Sequence, residues 1–166
     1  LNIGTMLNQT AVLATLAVGQ TLIILTAGVD LAVGTAMLLT HLIVAKTFID
    51  QGVPAPLALL LGVLVGMLLG AFHGVIVTKI GLPPFIVTLG TFYIFNSVGL
   101  VYSKAQTIPK EALGDNPVTA QPEGWLLWTG RTIHIGGDLR PTYGVIVAIV
   151  LYAVFGYILA KTAWGR

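Results

Sequence analysis

Asp30, in the stretch "TAGVDLAVGT" (residues 26–35), is the first acid in the chain and sits between two long apolar runs. A carboxylate so placed can share a proton with a second acid, hold a metal, or satisfy free backbone donors. The first two roles need partners that the sequence does not set nearby. No second acid lies close to Asp30, so no local carboxylate pair forms. His41, His73 and His134 fall in different elements without ligand spacing, and there is no cysteine. No G-x-x-x-x-G-K-[ST] phosphate loop occurs. The expectation is a chain with no catalytic residues, metal ligands or bound cofactor of its own, so that energy for any work enters from elsewhere.

The third role is open to Asp30. Gly28 and Gly34 flank it and permit a helix break, after which Asp30 can cap the next helix by accepting from its free N–H groups beside the positive dipole end. An acid at the bilayer centre costs about 2.5 to 3.5 kcal/mol on insertion scales, and such a cap offsets part of that. Two roles follow: a plain cap in a tight turn, or part of a broken helix facing a pathway. Asp30, Gly34, Met37 and His41 share one face of the second helix at about 100° per residue. That face is expected to avoid lipid.

Other polar residues divide in the same way between packing and pathway. Gln9 with Gln20, and Thr10 with Thr21, form neighbouring stripes on the first span and predict hydrogen bonds between helices. Thr88, Phe92, Phe95 and Tyr102 share a face of the fourth span, with Asn96 about 80° away. Aromatic faces beside hydroxyls suit a sugar, and they suit packing as well. Gly62, Gly66, Gly70 and Gly74 recur every four residues on the third span, drifting by about 40° per step. This stripe predicts close helix packing.

The elements that must carry these residues follow from composition. The chain is 56% hydrophobic and 8% charged, against about 25% charged for an average soluble domain, so most of it cannot face water. A span needs about 20 apolar residues, and five stretches qualify: 5–27, 31–49, 55–78, 83–103 and 141–160. "PLALLLGVLVGMLLGAF" (56–72) is apolar at nearly every position, unlike the alternating strands of a membrane barrel. The expected fold is therefore an all-α integral membrane protein with about five transmembrane helices, one broken near Gly28 to Gly34. A net charge of +2 makes no case for nucleic acid.

Residues 104–140 are the one sizeable polar region. Pro109, Pro117, Pro122 and Gly136-Gly137 punctuate it, and "RTIHIGG" alternates like a short strand entering a turn. Trp125 and Trp128, with Tyr102 and Tyr143 at the helix ends, fit an interfacial aromatic belt. A cap on the membrane surface is expected, with a plain linker as the alternative. Lys79, Lys161 and Arg166 are dense on the side of Asp30. The opposite side carries five basic residues over a longer stretch, matched by five acids.

Three segments carry a resemblance. "AVGQTLIILTAGVDLAVGT" (17–35) resembles the signature of permease subunits of ribose-type ABC sugar importers. "GVIVTKIGLPPFIVTLGT" (74–91) is similar to the family's next marker. "RTIHIGGDLRPTYGV" with "KTAWGR" resembles the fructose and ribose permeases in particular. The resemblance implies one partial permease domain over 1–166, an amino-terminal-half fragment of a chain about twice as long. It implies a cytoplasmic side bearing Asp30, Lys79 and Arg166, and an extracytoplasmic 104–140 segment. It further implies alternating access by two permease copies in the bacterial inner membrane. Their partners are a sugar-binding protein outside and cytoplasmic ATPase subunits that hold ATP and Mg. An ATP-independent transporter half, a channel subunit or a membrane scaffold fits the glycine stripe and the break equally well.

Overall fold

The computed structural model describes residues 3–106, 133 and 141–162. They form α1 (Ile3–Leu25), α2 (Val33–Ile49), α3 (Ala55–Val75), α4 (Pro84–Ser103) and α5 (Tyr143–Lys161), with one π turn, Ile76–Ile80, continuing α3. Four rods are long and apolar enough to cross a membrane: Thr5–Leu25, Ala55–Ile80, Pro84–Ser103 and Tyr143–Lys161. The all-α membrane fold holds, but the second span is shorter than expected. With 17 residues, α2 is about 26 Å long at 1.5 Å per residue, short of a hydrocarbon core of about 30 Å.

Proline and left-handed residues set the helix ends. Pro54 and Pro83 are the N-cap residues of α3 and α4, where a missing N–H costs nothing. Gly81, at φ 77°, closes the π turn. Lys104 and Ala105, at φ 54° and 53°, close α4, and the Ala105 N–H returns to the Leu100 carbonyl at 2.9 Å. This is the usual way of satisfying a helix's last carbonyls.

The predicted break is present. It spans residues 26–32, and its left-handed residue is Ala27, at φ 58°. Thr26 returns its N–H and its hydroxyl to the Ile23 carbonyl, at 3.1 and 2.7 Å, so the left-handed residue falls just after the last turn of α1, whatever its type. Gly28 is buried, and Gly34 lies inside α2.

The helices divide into two compact units. In one, α1 packs along α5 with Ala11, Val18 and Ala148 buried, and the Thr142 N–H donates to Asn8 Oδ1 at 2.8 Å. In the other, α2 packs on α3 and α4 around Ala32, Leu39 and Phe95, joined by Ala36, Ile43, Leu69 and Phe92. The glycine stripe serves this packing at one point. A Cβ on Gly62 would lie 2.5 Å from Val44 Cγ2, whereas one on Gly66, Gly70 or Gly74 would meet nothing within 4 Å. Because the stripe drifts around α3, α2 meets only one of its members. At Gly99 of α4, outside the stripe, an added Cβ would meet Leu42 Cδ1 at 3.4 Å, an ordinary contact distance. Of residues 104–140, Ile133 donates its N–H to the Pro141 carbonyl at 2.7 Å. Trp125, Trp128 and most of the expected cap lie outside the described residues.

Leucine at Gly62 must displace a stiff β-branched valine, an overpacking cost of about 1 to 3 kcal/mol. Thermal melts of the purified protein in detergent are expected to fall clearly for Gly62→Leu and little for Gly70→Leu.

Candidate functional site

Polar side chains gather at three places on the α2–α3–α4 unit. The first is the break. Asp30 Oδ1 accepts from the Ala32 N–H at 2.7 Å, and the Ala32 carbonyl accepts the first bond of α2, from the Ala36 N–H at 2.8 Å. Ala32 is thus the N-cap, and Asp30 acts two residues before it, correcting the expectation that Asp30 caps directly. The Thr88 hydroxyl lies 3.3 Å from the Val29 carbonyl and 3.4 Å from that of Phe85. Thr88 is 4% exposed. It fastens the break to α4 and faces no open route among the described residues.

The second place joins α3 to α4. His73 Nε2 lies 2.7 Å from Thr91 Oγ1, and the ring stacks on Phe95 at 5.5 Å. Imidazole beside hydroxyl is the pair from which acyl-transfer nucleophiles are made. Thr91, however, is 4% exposed, and its hydroxyl lies 3.0 and 3.1 Å from the Val87 and Thr88 carbonyls. The pair is a helix-to-helix tie, whichever of the two partners donates.

The third place closes the other end of the unit. Lys46 Nζ donates to the Tyr102 carbonyl at 3.1 Å, sits 5.1 Å from the centre of the Tyr102 ring, and lies 3.6 Å from Asp50. A cation on the last carbonyls of α4 is favourable through the helix dipole. The Asp50 pair adds little at a half-exposed site.

The remaining candidates are scattered. Asn96 is half-buried on α4 and Gln20 is half-buried on α1, while Gly34, Met37 and His41 are exposed on α2. Gln9 and Thr10 are exposed, and Thr21 donates to the Ala17 carbonyl of its own helix at 2.7 Å, so that hydroxyl ties no two helices. On the α1–α5 unit, Asn8, Thr15 and Thr142 line an open groove of about 350 Å³.

The family model described as branched-chain amino acid transport system / permease component matches residues 2–166. The chain belongs to that family. It is 38% identical over 160 residues to the fructose import permease protein FrcC of Rhizobium meliloti, covering 96% of this chain and 42% of that protein. It is 36% identical over 166 residues to the ribose import permease protein RbsC of Bacillus subtilis (strain 168), covering 100% and 47%. It is 40% identical over 107 residues to the D-allose transport system permease protein AlsC of Escherichia coli (strain K12), covering 64% and 33%. No solved structure matches the chain. The chain spans less than half the length of these permeases. It is a multi-pass membrane protein of the permease family, akin to sugar permeases.

Two of this permease chain's polar ties were missed in the sequence. Lys46 reads there as a loop charge, and His73 as a lone histidine in an apolar rod. Neither has a partner at helical spacing, because Tyr102 and Thr91 lie on another helix. No periodicity signals such a pair.

Asparagine keeps the acceptor that holds the Ala32 N–H, so Asp30→Asn is expected to retain stability. Asp30→Leu is expected to lose about 1 kcal/mol for one unmade hydrogen bond. Thr91→Val removes the partner of His73 Nε2 and is expected to cost about 1 to 3 kcal/mol. Denaturant titration in mixed micelles measures all three.

Proposed function

We propose that the chain is the membrane-spanning part of an ATP-driven importer that carries a monosaccharide across the bacterial inner membrane by alternating access. The observation that carries this reading is the family match over residues 2–166 together with relatives named for fructose, ribose and allose import. The family description alone names branched-chain amino acids. The three relatives above favour a sugar.

The chain's chemistry fits such a division of labour. Its side chains tie helices and satisfy backbone, and its sequence holds no phosphate loop. ATP and Mg belong to cytoplasmic ATPase subunits, and a sugar-binding protein delivers cargo from outside. A second permease copy completes the route, with Asp30 and Lys79 toward the cytoplasm and residues 104–140 toward the outside. No bond in the sugar is broken, so catalysis proper is confined to ATP hydrolysis on the partner.

The full-length permease is to be reconstituted in vesicles with its ATPase and binding protein, and uptake of labelled D-ribose and D-fructose followed. Uptake is expected only when ATP is supplied on the ATPase side. Uptake driven by an ion gradient without ATP would instead establish the secondary carrier that the broken helix also permits.

A further inference from the structure

Among the described residues, two neighbours that are not glycine both adopt the left-handed conformation: Lys104 and Ala105, at φ 54° and 53°. Each carries a steric cost that glycine would not, and such residues ordinarily occur singly. The local sequence would sooner wind the helix on. Lysine, alanine and glutamine are all good helix formers, and no glycine or proline stands between Ser103 and Pro109. Lys104, Ala105 and Gln106 are exposed, so burial of their side chains does not force the ending. The end of α4 is held against its own propensity, and the cause lies elsewhere in the fold.

The hydrogen bonds point to it. The Lys104 N–H is shared between the Leu100 and Val101 carbonyls, while Ala105 donates to Leu100 at 2.9 Å and Gln106 to Ser103 at 3.0 Å. In a helix continued through Gln106, the last two would instead take Val101 and Tyr102, four residues back. The backbone makes as many bonds one way as the other. What differs is the Tyr102 carbonyl, which the short helix leaves to the Lys46 ammonium of α2, at 3.1 Å. The Tyr102 ring lies 5.1 Å from the same ammonium, and Asp50, one turn along α2, lies 3.6 Å from it. A cation is worth most on a carbonyl at the helix end, and less once an N–H fills that carbonyl and the end moves on.

We propose that the end of α4 is a two-position device with Lys46 as its latch. Engaged, Lys46 stops α4 at Ser103, and the two left-handed residues turn the chain. Released, α4 winds on through Gln106. Three added residues advance the helix end by about 4.5 Å, and with it the start of the polar sequence that follows.

The test measures φ of Ala105 by solid-state NMR, through its H–N–Cα–H torsion, in the full-length permease in lipid. Labelled lysine and alanine select Lys–Ala pairs, and the signal is assigned by its loss in Ala105→Ser. The parent is expected near 53°, and Lys46→Met near the ordinary helical value of about −63°. An Ala105 that stays left-handed in Lys46→Met, with the variant folded by gel filtration and thermal melt, overturns the proposal. A right-handed Ala105 in the parent does so too. Should the methionine variant not fold, Lys46→Gln, which keeps a polar side chain without the charge, is measured in its place. A right-handed fraction there supports the latch, and its absence overturns it.

Discussion

A backbone N–H or C=O in hydrocarbon has no water to turn to, so it must be paired within the protein or lie beside a wet cavity. Most of this chain meets that demand by helix alone. Where the ladder stops, side chains take over. Asp30 accepts from the Ala32 N–H, Thr88 reaches the Val29 carbonyl, Lys46 holds the Tyr102 carbonyl, and Asn8 accepts from the Thr142 N–H. These contacts sit at the start of α2, the end of α4 and the start of α5. Each is a polar residue whose presence in an apolar sequence suggests function and whose first duty is structural.

The same solvent inverts the choice of buried residues. In water, large apolar side chains drive packing. In lipid they gain nothing by leaving the surface, and helices associate through close contact and hydrogen bonds. Most of the buried positions here are accordingly small or hydroxylic, Ala11, Ala32, Ala55, Ala58 and Ala148 with Thr35, Thr47, Thr88 and Thr91, and only Val18, Leu39, Val87 and Phe95 are large and apolar. Leu13, Leu68 and Val101 stay outside. Gly62 extends the rule to the limit of approach, letting Val44 of α2 lie almost on the backbone of α3.

How much of this was legible in the sequence depended on the range of the interaction. Apolar run length marked every helix, and the break around Asp30 was visible because an acid between glycines contradicts its surroundings. Features fixed by one helix meeting another were not visible. The Gly62 to Gly74 stripe looks uniform in sequence, yet only the crossing of α2 decides which member is used. Thr88 and Asn96 belong to one helix, and only the fold separates the buried tie from the half-buried amide. The flanking glycines marked the break but not the residue that turns it. The end of α1 requires the conformation at position 27, and alanine meets it at a cost of about 1 to 2 kcal/mol.

That cost gives meaning to the break. A continuous helix from residue 3 to residue 49 would be about 70 Å long, more than twice a hydrocarbon core of about 30 Å, so the chain must turn between α1 and α2. The Asp30 and Thr88 side chains hold residues 26–32 irregular, while α2 buries Thr35 and Leu39 in its bundle and leaves Met37 and His41 exposed. The polar ties are thus the means by which an apolar bundle turns its chain between two helices without leaving backbone groups unpaired.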